Sequence, residues 1–171
     1  MYKVLDVCRY IINYSNREDY GVSNLKLQKL LYFIQAYFLM NSENQEPCFN
    51  EKIEAWDFGP VVPVAYDEYK QYGSTDIPFV NSYINFDIND PWNVSKIQFD
   101  ESCIKEKDKK LINSVVTKLA YYSATDLVDI THRQTPWKDA YEKNKTNEIT
   151  INSIKQYFCL KKGDTNEIYY I

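Results

Sequence analysis

From Leu30 to Met40 the chain reads LLYFIQAYFLM, and only Gln35 in that run is strongly polar. A helix that is apolar nearly all round must be covered on most of its sides. We therefore expect this segment to be the central buried helix of the domain, with Leu30 and Leu31 in its core. Ser23 is placed as its N-cap, and Val22 and Leu27 are placed for a hydrophobic staple. Gln28, Tyr32 and Gln35, at i, i+4 and i+7, form one polar stripe on this helix. That stripe is either the wet edge of the helix or a buried network that fixes a neighbour, and the sequence leaves both open.

What can wrap such a helix follows from the flanking patterns. Val4, Val7, Cys8, Ile11 and Ile12 keep helical spacing, and so do Leu111, Ile112, Val115, Val116 and Leu119. Ile53 and Ala55 alternate with Glu54 and Trp56, which fits a short strand. Gly59 and Val62 each precede a proline, so 59–62 should be extended, and Pro63 is well placed as a first helical residue. Tyr66, Tyr69 and Tyr72 follow at helical spacing, with Gly73 as a left-handed cap. Ser123 to Asp126 is a capping box, and Thr135-Pro136 reads as an N-cap plus first-turn proline for a helix carrying Trp137. Ile151, Ile154 and Phe158 mark a last short helix. Residues 76–100 lack periodicity and read as a long loop or insertion, with short strands such as FVNSYINF. The tail 159–171 has a candidate hairpin at Gly163-Asp164. The sum is a mainly α, compact single-domain helical bundle over 1–171, with minor short β elements. Its 171 residues suit one domain with a real core.

The chemistry on offer is sparse. His132 is the one histidine, so pairs or metal sites that need two imidazoles are excluded. Asp129 lies three residues before it, and a Ser–His or Cys–His arrangement with Asp126 or Asp129 as orienter remains open. No Gly-x-Ser-x-Gly, Gly-rich phosphate loop or His-Glu-x-x-His accompanies it. The structural reading is that His132 closes a helix end and hydrogen-bonds locally. Glu54 and Asp57 would face opposite sides of a strand and not converge. Cys8, Cys48, Cys103 and Cys159 are isolated and read as reduced thiols, mostly small buried hydrophobes. We expect no catalytic set, no metal and no cofactor. The net charge of −4 argues against a general nucleic-acid binder. The Lys-rich IKEKDKK (104–110) is either a solvated helix face or a phosphate patch. No run is long and apolar enough for a membrane span and no signal peptide is visible, so a cytoplasmic protein is expected.

Three blocks together resemble a known family. They are SNLKLQKLLYFIQAYFL (23–39), IEAWDFGPVVPVAYDEYKQYG (53–73) and LVDITHRQTPWKDAY (127–141). In that order they resemble the Panacea antitoxin domain, also called SocA-like or phage-associated protein, across about 4–158. Phe58 stands where Tyr is common, and Glu46-Pro47-Cys48-Phe49 replaces a usual Gly-x-Pro-Leu-Phe. The resemblance implies a mainly helical antitoxin that neutralises a cognate toxin by direct binding, often on a phage or mobile element. It brings no catalytic residues.

Tyr and Trp are enriched at protein interfaces, in keeping with that expectation. The candidate toxin interface is the turn Asp57, Phe58, Gly59, Pro60 and Val61, with the loop residues His132, Gln134 and Pro136, since loops on a rigid scaffold often carry recognition. Leu30, Leu31, Trp56, Tyr66 and Trp137 are read as the structural core of the motifs. Three rival functions stay open: an adaptor delivering the toxin to a AAA+ protease, a hydrolase using His132 with Ser123 or a cysteine, and a DNA-binding regulator.

Overall fold

Ser23 starts the helix on which the rest of the chain is laid. Its hydroxyl accepts from the Lys26 amide at 3.4 Å, opening α2 (Asn24–Asn41). The fold was obtained as a computed structural model, which describes residues 1–42, 45–86 and 94–161. Most of α2 is buried, Leu30 and Leu31 included. It packs against α1 (Val4–Arg17), α3 (Pro63–Tyr69), α4 (Glu106–Leu119), α5 (Ala124–His132) and α7 (Ile151–Lys161). Between α5 and α7 lies the short α6 (Thr135–Ala140). A helix covered from so many directions needs no polar face, which explains its composition.

The strands are short and serve as connectors. β1 (Ile53–Trp56), β2 (Gly59–Val61) and β5 (Glu148–Ile149) form an antiparallel sheet in the order β2-β1-β5. In it Trp56 pairs with Gly59, so Asp57 and Phe58 form a two-residue turn. Pro63 opens α3 as expected, but α3 stops at Tyr69 and a 3-10 turn runs over Lys70–Tyr72. Gly73 ends that turn with a φ of +55°. Residues 76–100 are more regular than their sequence indicates. β3 (Ser82–Phe86) and β4 (Val94–Gln98) pair as an antiparallel hairpin. The Arg9 guanidinium lies 3.5 Å over the Tyr83 ring and ties that hairpin to α1. The capping box at Ser123 forms in both directions, from the Ser123 hydroxyl and from the Asp126 carboxylate. At α6 the cap is Gln134, with Thr135 the first helical residue and no side-chain cap bond. The candidate hairpin at Gly163-Asp164 lies outside the described residues.

The polar stripe on α2 proves to be a buried network. Gln28, Tyr32 and Gln35 are all essentially inaccessible. Gln35 acts as a clamp on the segment entering β1. Its Oε1 accepts from the Cys48 and Phe49 amides at 2.9 and 3.3 Å, and its Nε2 donates to the Phe49 carbonyl at 2.9 Å. Removing that amide leaves two buried N–H groups without an acceptor. Gln35→Leu should therefore destabilise the fold by about 2–4 kcal/mol. Urea unfolding measures this as a lower midpoint at unchanged slope. A loss under about 1 kcal/mol would mean that water replaces the amide.

Candidate partner-binding face

All three motif blocks meet at Lys29. This residue sits on α2 and is fully buried, yet among the described residues no carboxylate pairs with it. Its Nζ donates to the Pro60 carbonyl at 2.9 Å. One helical position earlier, Gln28 Oε1 accepts from the Val62 amide at 2.9 Å, and Gln28 Nε2 donates to Asn24 at 3.0 Å. β2 is an edge strand, so its outer backbone groups have no strand partner. Lys29 and Gln28 supply those bonds from the side, which closes the edge. Gly59 explains why the approach is so close. Its φ is +92°, and a Cβ there would fall 2.7 Å from Thr131 Oγ1 and 3.0 Å from Lys29 Nζ. No side chain fits between α2 and α5 at that point.

The third block clamps the turn from the other side. Trp137 Nε1 donates to the Trp56 carbonyl at 3.0 Å, and the Tyr141 hydroxyl donates to Asp57 Oδ1 at 2.9 Å. His132, Trp137 and Tyr141 form a stack, with ring centroids 3.9 and 4.5 Å apart. Tyr32 donates to Gln134 Oε1 at 2.8 Å, joining this block to α2. His132 hydrogen-bonds with the backbone of Asp57 across the site, not within its own helix as expected, while its Nε2 is buried without a partner. Burial, and then the Lys29 charge, lower its pKa.

These contacts leave the residues of the expected interface unequally exposed. Gly59, Pro60, Val61, Gln134 and Pro136 are buried, and His132 is half-buried. They hold the turn and are not themselves presented. Asp57 and Phe58 are exposed, Phe58 at 67% of its surface. Trp137 is buried as expected, but Trp56 and Tyr66 are only half-buried. They meet edge to face at 5.0 Å and form part of a groove of about 580 Å³ beside Phe58. Its other walls include Leu25, Val61, Lys70 and Lys145. The sequence signal for this groove was the pair Trp56 and Tyr66. We read both as core because aromatic residues in bounded segments usually are.

The geometry does not bring Ser123 to His132. Ser123 caps the start of α5 and His132 ends it. Nine helical residues at 1.5 Å each keep them more than ~10 Å apart. Burial raises the pKa of Cys8 and Cys48, the reverse of what a nucleophilic thiol needs. Glu54 accepts from Trp56 Nε1 at 2.8 Å and Asp57 is bound by Tyr141, so these carboxylates do not converge. Among the described residues no group of three or more His, Cys, Asp or Glu could hold a metal, and no helix is long and apolar enough to cross a membrane.

A buried, motif-built clamp behind an exposed aromatic turn defines a helical scaffold protein. The family model described as "Antitoxin SocA-like, Panacea domain" matches residues 27–138. Antitoxin SocA of Caulobacter vibrioides (strain NA1000 / CB15N) is 36% identical over 121 residues, which cover 70% of this chain and 60% of that protein. No solved structure matches. The chain belongs to the SocA-like, Panacea domain antitoxin family.

The buried ammonium carries a pH signature. Burial lowers the Lys29 pKa from 10.5 to about 7. Between those values the unfolded chain binds more protons than the folded one, so stability rises with pH. The cleanest window is about pH 7 to 8.5, above the His132 titration, which is lowered from 6.5, and below that of thiols, whose ordinary value is 9.0. Wild type should gain about 1.5 kcal/mol across that window. Lys29→Met should remove the rise. Denaturant unfolding at several pH values measures both, and equal slopes in the two proteins would contradict this account.

Proposed function

We propose that this protein neutralises a cognate toxin by direct, stoichiometric binding, and that the Asp57-Phe58 turn is the centre of the contact surface. The observation that carries the reading is Phe58. It is a large aromatic side chain, 67% exposed, at the tip of a turn whose backbone is fixed from both sides. Exposed aromatics on a rigid support are the usual anchors of protein interfaces. A turn already held in place loses little conformational entropy on binding. Membership of an antitoxin family supports a toxin as the partner. The clustered motif residues form a support for the turn and not a reaction centre, which favours occlusion over chemical destruction of the toxin. A bacterial antitoxin of this kind would act in the cytoplasm.

The test is co-expression with the neighbouring reading frame, followed by gel filtration. Wild type should rescue growth and co-elute with the toxin. Phe58→Glu should keep its stability within about 0.5 kcal/mol, since the side chain is on the surface, and should lose both rescue and co-elution. Rescue at strongly sub-stoichiometric antitoxin, with no complex and no added protease, would overturn the binding reading. Rescue that requires a AAA+ protease would instead favour the adaptor.

A further inference from the structure

Two side chains that become cations on protonation are bonded to the same four-residue turn. Lys29 Nζ donates to the Pro60 carbonyl, and His132 hydrogen-bonds with the Asp57 backbone. Phe58 and Gly59 lie between those two bonds. Lys29 arrives from α2 and His132 from the end of α5. They come together where there is no spare room. A Cβ on Gly59 would fall 3.0 Å from Lys29 Nζ and 2.7 Å from Oγ1 of Thr131, the residue before His132.

Little negative charge offsets this pair. Around Lys29 stand Pro60 from β2 and Thr131 and His132 from α5. His132 meets the Lys29 charge from α2, the Asp57 backbone from the turn and the Trp137 ring from α6. Asp129, exposed and one turn earlier on α5, is the carboxylate that favours its charged form. The Asp57 carboxylate accepts from the Tyr141 hydroxyl instead. His132 Nε2 is buried without a partner, so the bond to Asp57 is made by Nδ1. A neutral ring can leave a lone pair at Nε2, but a protonated ring carries an N–H on both nitrogens. The added donor would be buried with no acceptor.

We propose that the turn from Asp57 to Pro60 is a latch released by acid: protonation of His132 beside the Lys29 ammonium drives the turn off its support, so that both cations reach water and Phe58 is no longer held in one position. The sign follows from the surroundings. Burial, and then the Lys29 charge, lower the His132 pKa from 6.5, so the closed turn resists a proton that the open turn accepts. The closed form is favoured above about pH 6.5 and loses ground as pH falls through the lowered value. Lys29, lowered to about 7, is already charged over most of that range. Opening is local because the bonds lost are those of the turn, while α1, α4 and α7 still cover α2. Weaker partner capture in acid rests on the binding function above, whereas the latch itself does not.

Hydrogen exchange followed by NMR on the full chain tests the latch without the toxin. The Trp137 indole N–H, bonded to the Trp56 carbonyl, and the Val62 amide, bonded to Gln28, report on the clamp. The Phe33 amide, within α2, reports on the core. Protection factors, corrected for the intrinsic pH dependence of exchange, are compared at about pH 7.5 and about pH 5. The two clamp reporters should lose protection roughly fivefold or more in acid while Phe33 keeps its own. His132→Gln should remove most of that loss, and Lys29→Met should reduce it. Asp129→Asn, a surface change that takes away the carboxylate favouring charged His132, should enlarge it. Clamp protection that does not respond to acid, equal losses at Phe33 and the clamp, or an unchanged response in His132→Gln or in Asp129→Asn would each overturn the proposal. Because no toxin is present, these outcomes are independent of whether the protein co-elutes with its neighbour.

Discussion

One hydrogen bond, from the Lys29 ammonium to the Pro60 carbonyl, joins the central helix to the strand that carries the exposed turn. It is a costly way to make a joint. A buried cation without an anion is disfavoured, and here the cost appears as a pKa lowered to about 7. A methionine in its place would be cheaper to bury but could not donate. The Pro60 carbonyl, on the outer edge of β2, would then lose this bond. An unpaired buried carbonyl weakens the fold, and a free strand edge invites pairing with other chains. The lysine thus exchanges some stability for a closed edge and a fixed register.

The fixed register matters because of what stands on the other side of the turn. With Lys29 and Gln28 holding β2, and Trp137 and Tyr141 holding Trp56 and Asp57, the backbone of this short hairpin is bonded from both sides. Gly59 is the position where the two supports almost touch. Any side chain there would push α2 and α5 apart, and its φ of +92° already favours glycine. Phe58 projects from this clamp with 67% of its surface exposed. Rigidity behind and exposure in front are consequences of the same contacts.

Much of the architecture could be read from the sequence because it depends on local rules. Apolar spacing marked α1, α2, α4 and α7, and proline and serine positions marked the starts of α3 and α5. The β3–β4 hairpin was harder, because its strands are largely solvent-exposed and lack the alternation that a buried face imposes. The candidate site was half legible. Within the segments that carry the motifs, burial differs from what spacing implies. Gly59, Pro60 and Gln134, which the sequence suggests are presented, are buried, whereas Trp56 and Tyr66, which it suggests are core, line the groove. Spacing says which residues share a face, and it does not say whether another element covers that face. The role of Lys29 had no local signal at all. A lysine in an apolar helix reads as the solvent side, and only the tertiary arrangement places it under a strand edge.

That inversion bears on what a family motif reports. The residues that define the three blocks point inward here: Lys29 to Pro60, Gln28 to Val62, Tyr32 to Gln134, Trp137 to Trp56. Shared motifs of this kind describe a support. They constrain the surface only where a side chain cannot avoid facing out, as at Phe58. Such a scaffold can keep its fold while its exposed residues change, since the contacts that stabilise it are made by buried side chains.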